Sequence, residues 1–179
     1  ADLNLPASIK YLSCKSCTGL TGLLDLSPYT QMKTIRPEAF KYCTGITDIK
    51  LPAAIEEIDG DAFAFCNGFT GEIDFSSYTQ LKKLRGFAWC SGLTNVKLPP
   101  SVTYVSFESC RVLHNFAELN IPDSIEYIYF SACGFTGEVD LSSYTQLRFI
   151  PQCAFDLCDG ITAVKLPENI EWINPMSFR

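Results

Sequence analysis

The chain has 179 residues, 47% of them apolar and 13% aromatic, enough to bury one core and to exclude a disordered segment. A formal charge of −6, a pI near 4.8 and the lack of any Lys/Arg run exclude nucleic acid as a partner, because nothing is present to displace phosphate counterions. No stretch approaches the roughly 18 apolar residues of a membrane span, so no transmembrane segment is expected, and Ala1–Pro6 has neither region of a signal peptide.

Three anchors recur along the chain. The first is an apolar-x-apolar pair followed by Pro or Ser: Leu3/Leu5, Leu24/Leu26, Ile49/Leu51, Ile73/Phe75, Val96/Leu98, Leu119/Ile121, Val139/Leu141 and Val164/Leu166. Period two puts both anchors on one face of a short strand, and the following Pro, which cannot donate to a ladder, ends it. The second pair is spaced i, i+3, as in Ile9/Leu12, Ile55/Ile58, Val102/Val105 and Ile170/Ile173, and is predicted to turn the chain around the core. The third is Phe-x-x-Cys, starting at Phe40, Phe63, Phe87, Phe107, Phe130 and Phe155, with Cys14 in the Phe slot of the first coil and Phe178 opening the last. That spacing predicts a single helical or 3-10 turn burying Phe and Cys together. A Gly-containing turn such as Thr44-Gly45 then leads to the next strand.

Seven of the nine cysteines, from Cys17 to Cys158, lie at intervals of 26, 23, 24, 20, 23 and 25 residues, matching the repeat. Each is therefore expected in the same buried slot of successive coils as a reduced core thiol, and not in a disulfide. Coil lengths vary. Ile58 and Phe63 are five residues apart, whereas Val105 and Phe107, and Ile128 and Phe130, are two apart. Tyr29-Thr-Gln31, Tyr78-Thr-Gln80 and Tyr144-Thr-Gln146 are insertions, expected in loops outside the shared core.

The unit Ile58-Asp-Gly-Asp-Ala-Phe63-x-x-Cys66-x-x-Phe69, followed by Ile73-x-Phe75, resembles the BspA-like, or treponemal-type, leucine-rich repeat over essentially the whole chain. The resemblance implies an α/β repeat solenoid: a right-handed coil with a parallel β-sheet on one face and short helical or 3-10 turns and loops opposite. Residues 1–179 would form one such solenoid of seven to eight coils, a fragment of a longer array, because neither end has a polar cap. The eight strands would give a sheet on the order of 35 to 40 Å across. The resemblance further implies a surface-displayed or secreted, non-enzymatic module of bacterial type that takes part in adhesion or recognises a host protein or glycan. Neither a cofactor nor a metal is implied.

Between the first-anchor pairs lies the row Asn4, Asp25, Lys50, Asp74, Lys97, Asn120, Asp140 and Lys165, whose near alternation of sign reads as cross-strand pairing and not as a cation site. The residue before the last member of the second pair varies most: Tyr11, Thr34, Glu57, Lys83, Tyr104, Tyr127, Phe149 and Trp172. If it faces outward, Tyr104, Tyr127, Phe149 and Trp172 form an aromatic stripe suited to ligand contact. The alternative is a ladder of rings packed on the coil flank with no partner. Tyr42, Phe65 and Trp89, each just before a Cys, form a shorter stripe. Cys14-Lys-Ser-Cys17 has metal-like spacing without a second pair and reads as core, Cys153 lies outside the Cys column, and His114 stands alone in the irregular stretch 111–118. Two further readings stay open: a spacer array carrying another domain, and a carbohydrate-active enzyme on a parallel solenoid.

Overall fold

The computed structural model describes residues 3–179, so the first two residues of the expected 1–179 span lie outside the described residues. The chain winds as a parallel β-solenoid of about seven turns. Its strands are β1 (Gly22–Asp25), β2 (Thr34–Ile35), β3 (Ile46–Lys50), β4 (Glu57–Ile58), β5 (Thr70–Asp74), β6 (Lys83–Arg85) and β7 (Gly92–Lys97), followed by β8 (Tyr104–Ser106), β9 (Tyr127–Tyr129), β10 (Thr136–Asp140), β11 (Phe149–Ile150), β12 (Gly160–Lys165) and β13 (Trp172–Ile173).

The stacking depends on the Phe-x-x-Cys segment, which is not helical. Within the segment alternate amides close tight turns, as when Cys43 N–H donates to the Phe40 carbonyl (3.1 Å). The amides between them donate to the next coil: Phe40 to Ala62 (2.7 Å), Tyr42 to Ala64 (2.9 Å), Phe63 to Gly86 (2.7 Å) and Phe107 to Tyr129 (2.9 Å). A helix would spend all these donors internally and leave none for the neighbour. The expected helical turns are therefore replaced by turns that alternate handedness. The residue before each Cys is left-handed, from Ser16 (φ 61) to Leu157 (φ 58). The one helical element among the described residues is a 3-10 turn at Ala117–Leu119.

The same geometry explains the cysteines. A carbonyl at the Phe position has two lone pairs; at Cys14, Phe40, Phe63, Phe87 and Phe130 its own coil's Cys amide uses one, and the thiol of the following coil's Cys donates to the other. Cys43, Cys66, Cys90, Cys110, Cys133 and Cys158 all make this bond to the preceding coil, at 3.0–3.3 Å. Beside them Phe40, Phe63, Phe87, Phe107, Phe130, Phe155 and Phe178 stack with centroids 5.2–6.3 Å apart. All nine cysteines are free thiols. Cys17 departs from its expected slot: it is exposed, because its coil is the outermost described.

The strand pairing also differs from expectation. The first anchors do not make one broad sheet; they form three isolated parallel pairs, β1–β3, β5–β7 and β10–β12. Leu3/Leu5 forms no strand, and at Leu119/Ile121 the first anchor ends the 3-10 turn and the second follows it. In each pair the register slips after Gly22, Gly71 or Gly137, which have φ of 72°, 85° and 80° and need glycine to reach them. Asp25, Asp74 and Asp140 then accept from the Ser two residues on, and this hydrogen bonding holds their carboxyls below the usual range. Where a Pro-terminated coil meets a Tyr-Thr-Gln coil the backbone ladder is interrupted, and a side chain takes over. Leu51 N–H donates to the Tyr78 hydroxyl (3.0 Å), and Leu5 N–H to that of Tyr29 (3.4 Å). These tyrosines thus belong to the core flank and not to outlying loops: Tyr29 is buried, and Tyr78 and Tyr144 pack against the core.

The second anchors, expected only to turn the chain, form the longest sheet, β2-β4-β6-β8-β9, with β11–β13 beyond it.

Removing a ring from the middle of the Phe stack should be costly. Phe87→Ala is expected to lower unfolding free energy by about 3–5 kcal/mol, and Phe178→Ala, half-exposed at the last described coil, by much less; urea denaturation of both variants checks the difference. Thiol reactivity offers a second check, because burial pushes Cys66 and Cys110 up to about 12 and Cys158 to about 11. Iodoacetamide at mildly alkaline pH should modify Cys17 first and leave Cys66 and Cys110 intact until denaturant is added, as read by mass spectrometry.

Candidate ligand-binding face

Ile35, Ile58, Leu84, Val105 and Ile128 enter the core, so strand alternation turns the residue before each of them outward. Register aligns Thr34, Glu57, Lys83, Tyr104 and Tyr127 in one row across β2, β4, β6, β8 and β9, and Phe149 beside Trp172 on β11 and β13. Tyr104 and Tyr127 stack at 4.0 Å and 10°. Tyr127 meets Phe149 edge-on at 5.9 Å, and Phe149 lies 6.1 Å from Trp172. The four aromatics predicted from the variable column thus come together as one stripe, with Trp172 the most open at 60% exposed.

The other end of the row is charged. Arg85 pairs with Glu57 (3.3 Å) and Asp59 (2.5 Å), while its guanidinium lies 5.3 Å from the Tyr104 ring centre and so joins the two halves. Arg36 lies 3.5 Å over Tyr11 in the same manner.

Tyr42, Phe65 and Trp89 form a separate ladder, stacked at 4.8 and 5.5 Å. Each sits at the left-handed position before Cys, with φ of 64°, 60° and 62°. A side chain there costs about 1 kcal/mol relative to glycine. Ser16, Ser109, Ala132 and Leu157 hold the same backbone in other coils, so the turn imposes the conformation and the aromatic is optional. Lys41 lies 5.7 and 5.9 Å from the Tyr42 and Phe65 centroids, and its bonds to Asp61 (2.7 Å) and Glu38 (3.1 Å) push it up to about 12.

Coil length decides where the surface is hollow. In long coils a left-handed residue two places before Phe (Glu38, Asp61, Cys153 or Met176) swings the chain outward before the turn. The coils of Leu84, Val105 and Ile128 lack that excursion, and their strands β6, β8 and β9 run three residues, straight toward Phe. Over them lies a cavity of about 260 Å³, lined by Gly60, Asp61, Arg85, Gly86, Ala88, Tyr104, Ser106, Glu108, Tyr127 and Tyr129. Gly86 fits there because a Cβ would come within 2.8 Å of Ile58.

Glu108 is half-buried in this hollow and makes no side-chain hydrogen bond or ion pair among the described residues. Burial, and to a lesser extent Asp61, raises its carboxyl above the ordinary glutamate value. Arg85 Nε is buried without a partner. Sequence reasoning missed Asp61, Arg85, Glu108 and Tyr129; the signal was the shortened spacing before Phe107 and Phe130.

Other candidates have structural roles. Asp74 and Lys97, and Asp140 and Lys165, are opposite each other in register, and the lysines also reach Glu72 (2.6 Å) and Glu138 (2.7 Å). Asp25 and Lys50 are likewise opposite each other. His114 is exposed, its Nδ1 3.0 Å from the Gly134 carbonyl. Cys14 packs against the core, and its carbonyl receives the Cys43 thiol. Cys153 is half-buried outside the Cys column. Among the described residues no helix is long and apolar enough to cross a membrane.

The profile of the BspA type leucine-rich repeat region matches in six copies over residues 7–138 and 85–179. A leucine-rich repeat protein from Bacteroides ovatus has a similar fold, with TM-score 0.57 and 18% identity over 98% of this chain; the match spans 63% of that protein. A leucine-rich repeat protein of T. pallidum is similar at TM-score 0.58 and 22% identity, over 96% of this chain and 69% of the other. No curated protein matches.

The folded state protonates Glu108 more readily than the unfolded state does, so its charge destabilises the fold at neutral pH. Glu108→Gln should therefore raise the urea midpoint at neutral pH. The gain should shrink as pH falls through the raised folded-state titration and vanish below the ordinary glutamate range, which urea titrations at several pH values would follow.

Proposed function

We propose, because this chain belongs to the BspA type leucine-rich repeat family, that it is a recognition module whose binding face is the stripe Tyr104, Tyr127, Phe149 and Trp172. The observation that carries this reading is the contiguous contact of four aromatic rings on the outer side of the strands, ending in a Trp that is 60% exposed. Core packing does not require rings there. Thr34, Glu57 and Lys83 occupy the same row in other coils with the same buried neighbours. Exposed Tyr and Trp bring apolar area with a polar handle, the composition of interaction hot spots. The Tyr42, Phe65 and Trp89 ladder adds a second contact row.

The ligand on this reading is a protein or glycan, and the setting is a secreted or cell-surface protein engaged in adhesion. On this reading residues 1–179 form one array. The carboxylates of the hollow favour recognition over glycoside hydrolysis: Asp61 is bound to Lys41 and Glu108 stands alone, so no free pair flanks a scissile bond.

Tyr127→Ala and Trp172→Ala should each weaken binding to the ligand found in panels of immobilised extracellular proteins and glycans by roughly tenfold or more. The circular dichroism and urea midpoint of Trp172→Ala should stay close to those of the unaltered protein. Unchanged binding by both folded variants would sink the stripe as the binding face.

A further inference from the structure

We propose that the hollow over the three short coils is a socket for one basic side chain, a Lys or Arg of a protein partner. This rests on the recognition reading above and narrows its ligand from protein or glycan to a protein with a basic segment.

Charge gives the first argument. The cations near the hollow are already engaged: Arg85 by Glu57 and Asp59, and Lys41 by Asp61 and Glu38. Glu108 is the carboxylate left over, half-buried and unpaired. A desolvated carboxylate without a partner is costly, and an incoming cation removes that cost. The chain's net charge of −6 attracts a basic partner from a distance.

The walls give the second argument. Tyr104, Tyr127 and Tyr129 line the hollow. A guanidinium or ammonium against such rings is attracted to their negative faces, the more strongly as water is excluded. The row already makes this contact internally, with Arg85 over Tyr104 and Arg36 over Tyr11. At about 260 Å³ the cavity lies below the roughly 300–1,000 Å³ that holds a drug-sized ligand, and is suited to a single side chain.

The socket is expected to respond to pH. Glu108 is faced by Asp61 from the long coil, Arg85 from β6, and Tyr104, Tyr127 and Tyr129 from β8 and β9. Its raised carboxyl takes up a proton before ordinary glutamates do. Affinity for a cation therefore falls as the medium is acidified.

The test is an NMR titration of the whole 15N-labelled chain at neutral pH. The probes are a short Gly/Ser peptide carrying one arginine and the same peptide carrying citrulline, its uncharged isostere. The arginine peptide should shift the amides of Ser106, Glu108 and Tyr129 and the citrulline peptide should not. Glu108→Gln should weaken arginine binding roughly tenfold, whereas Glu168→Gln, with the same change in net charge at an exposed loop, should leave it unaltered. Equal response to both peptides, or equal affinity in the two variants, overturns the socket. So does a neutral oligosaccharide that shifts these amides when the arginine peptide does not. If Trp172→Ala weakens a macromolecular ligand while Glu108→Gln does not, the stripe stands and the socket falls. If the arginine peptide binds through Glu108 while Phe149→Ala and Trp172→Ala leave the macromolecular ligand's binding unchanged, the stripe falls and the socket stands.

Discussion

The carbonyls of the Phe-x-x-Cys turns carry the stack, because those of Phe40, Phe63, Phe87 and Phe130 accept twice: once from their own coil's Cys amide and once from the thiol of the next coil. That double acceptance needs a small, mostly apolar donor in a dry place beside the Phe ring, and cysteine meets all three conditions. Serine would bring a stronger, more hydrated hydroxyl into the core, and alanine would leave a lone pair unmet. With the turn amides also bridging coils, the spacing of the whole solenoid is set on this side. The strands opposite can then be short, and even interrupted, without loss of the stack.

That tolerance is what allows a site. Because the spine does not depend on the segment just before Phe, three adjacent coils could lose the left-handed excursion and leave a hollow over β6, β8 and β9. The hollow adjoins the point where the outer row changes from charged to aromatic, with Arg85 at the join. The costs lie close by: an unpaired half-buried carboxylate at Glu108 and a buried Arg85 Nε without an acceptor among the described residues. Neither improves the stack, and their concentration in one region sets it apart from the rest of the surface.

The core columns were legible in the sequence because burial is set by spacing. Phe63, Cys66 and Ile73 lie where the repeat puts them, and the outward column from Thr34 to Trp172 follows from the same spacing. Backbone hydrogen bonding was not legible, since an i, i+3 spacing is shared by a helical turn and by turns of alternating hand. The same ambiguity made the second anchors look like corners when they form the longest sheet. The Tyr-Thr-Gln segments read as loops because a hydroxyl that replaces a missing ladder bond leaves no periodic trace. For the hollow, the relevant signal was a deletion, and its side chains come from non-adjacent columns that only the coil-to-coil register brings together.

Native-state hydrogen exchange tests the central claim that the Phe-x-x-Cys turns are the spine. The amides of Phe63, Phe65, Phe107 and Ser109, which donate between coils at 2.7–2.9 Å, should be as protected as those of β6 and β8. Exchange at the rate of open turns, with the strands still protected, would contradict the account and assign the stacking to the sheets.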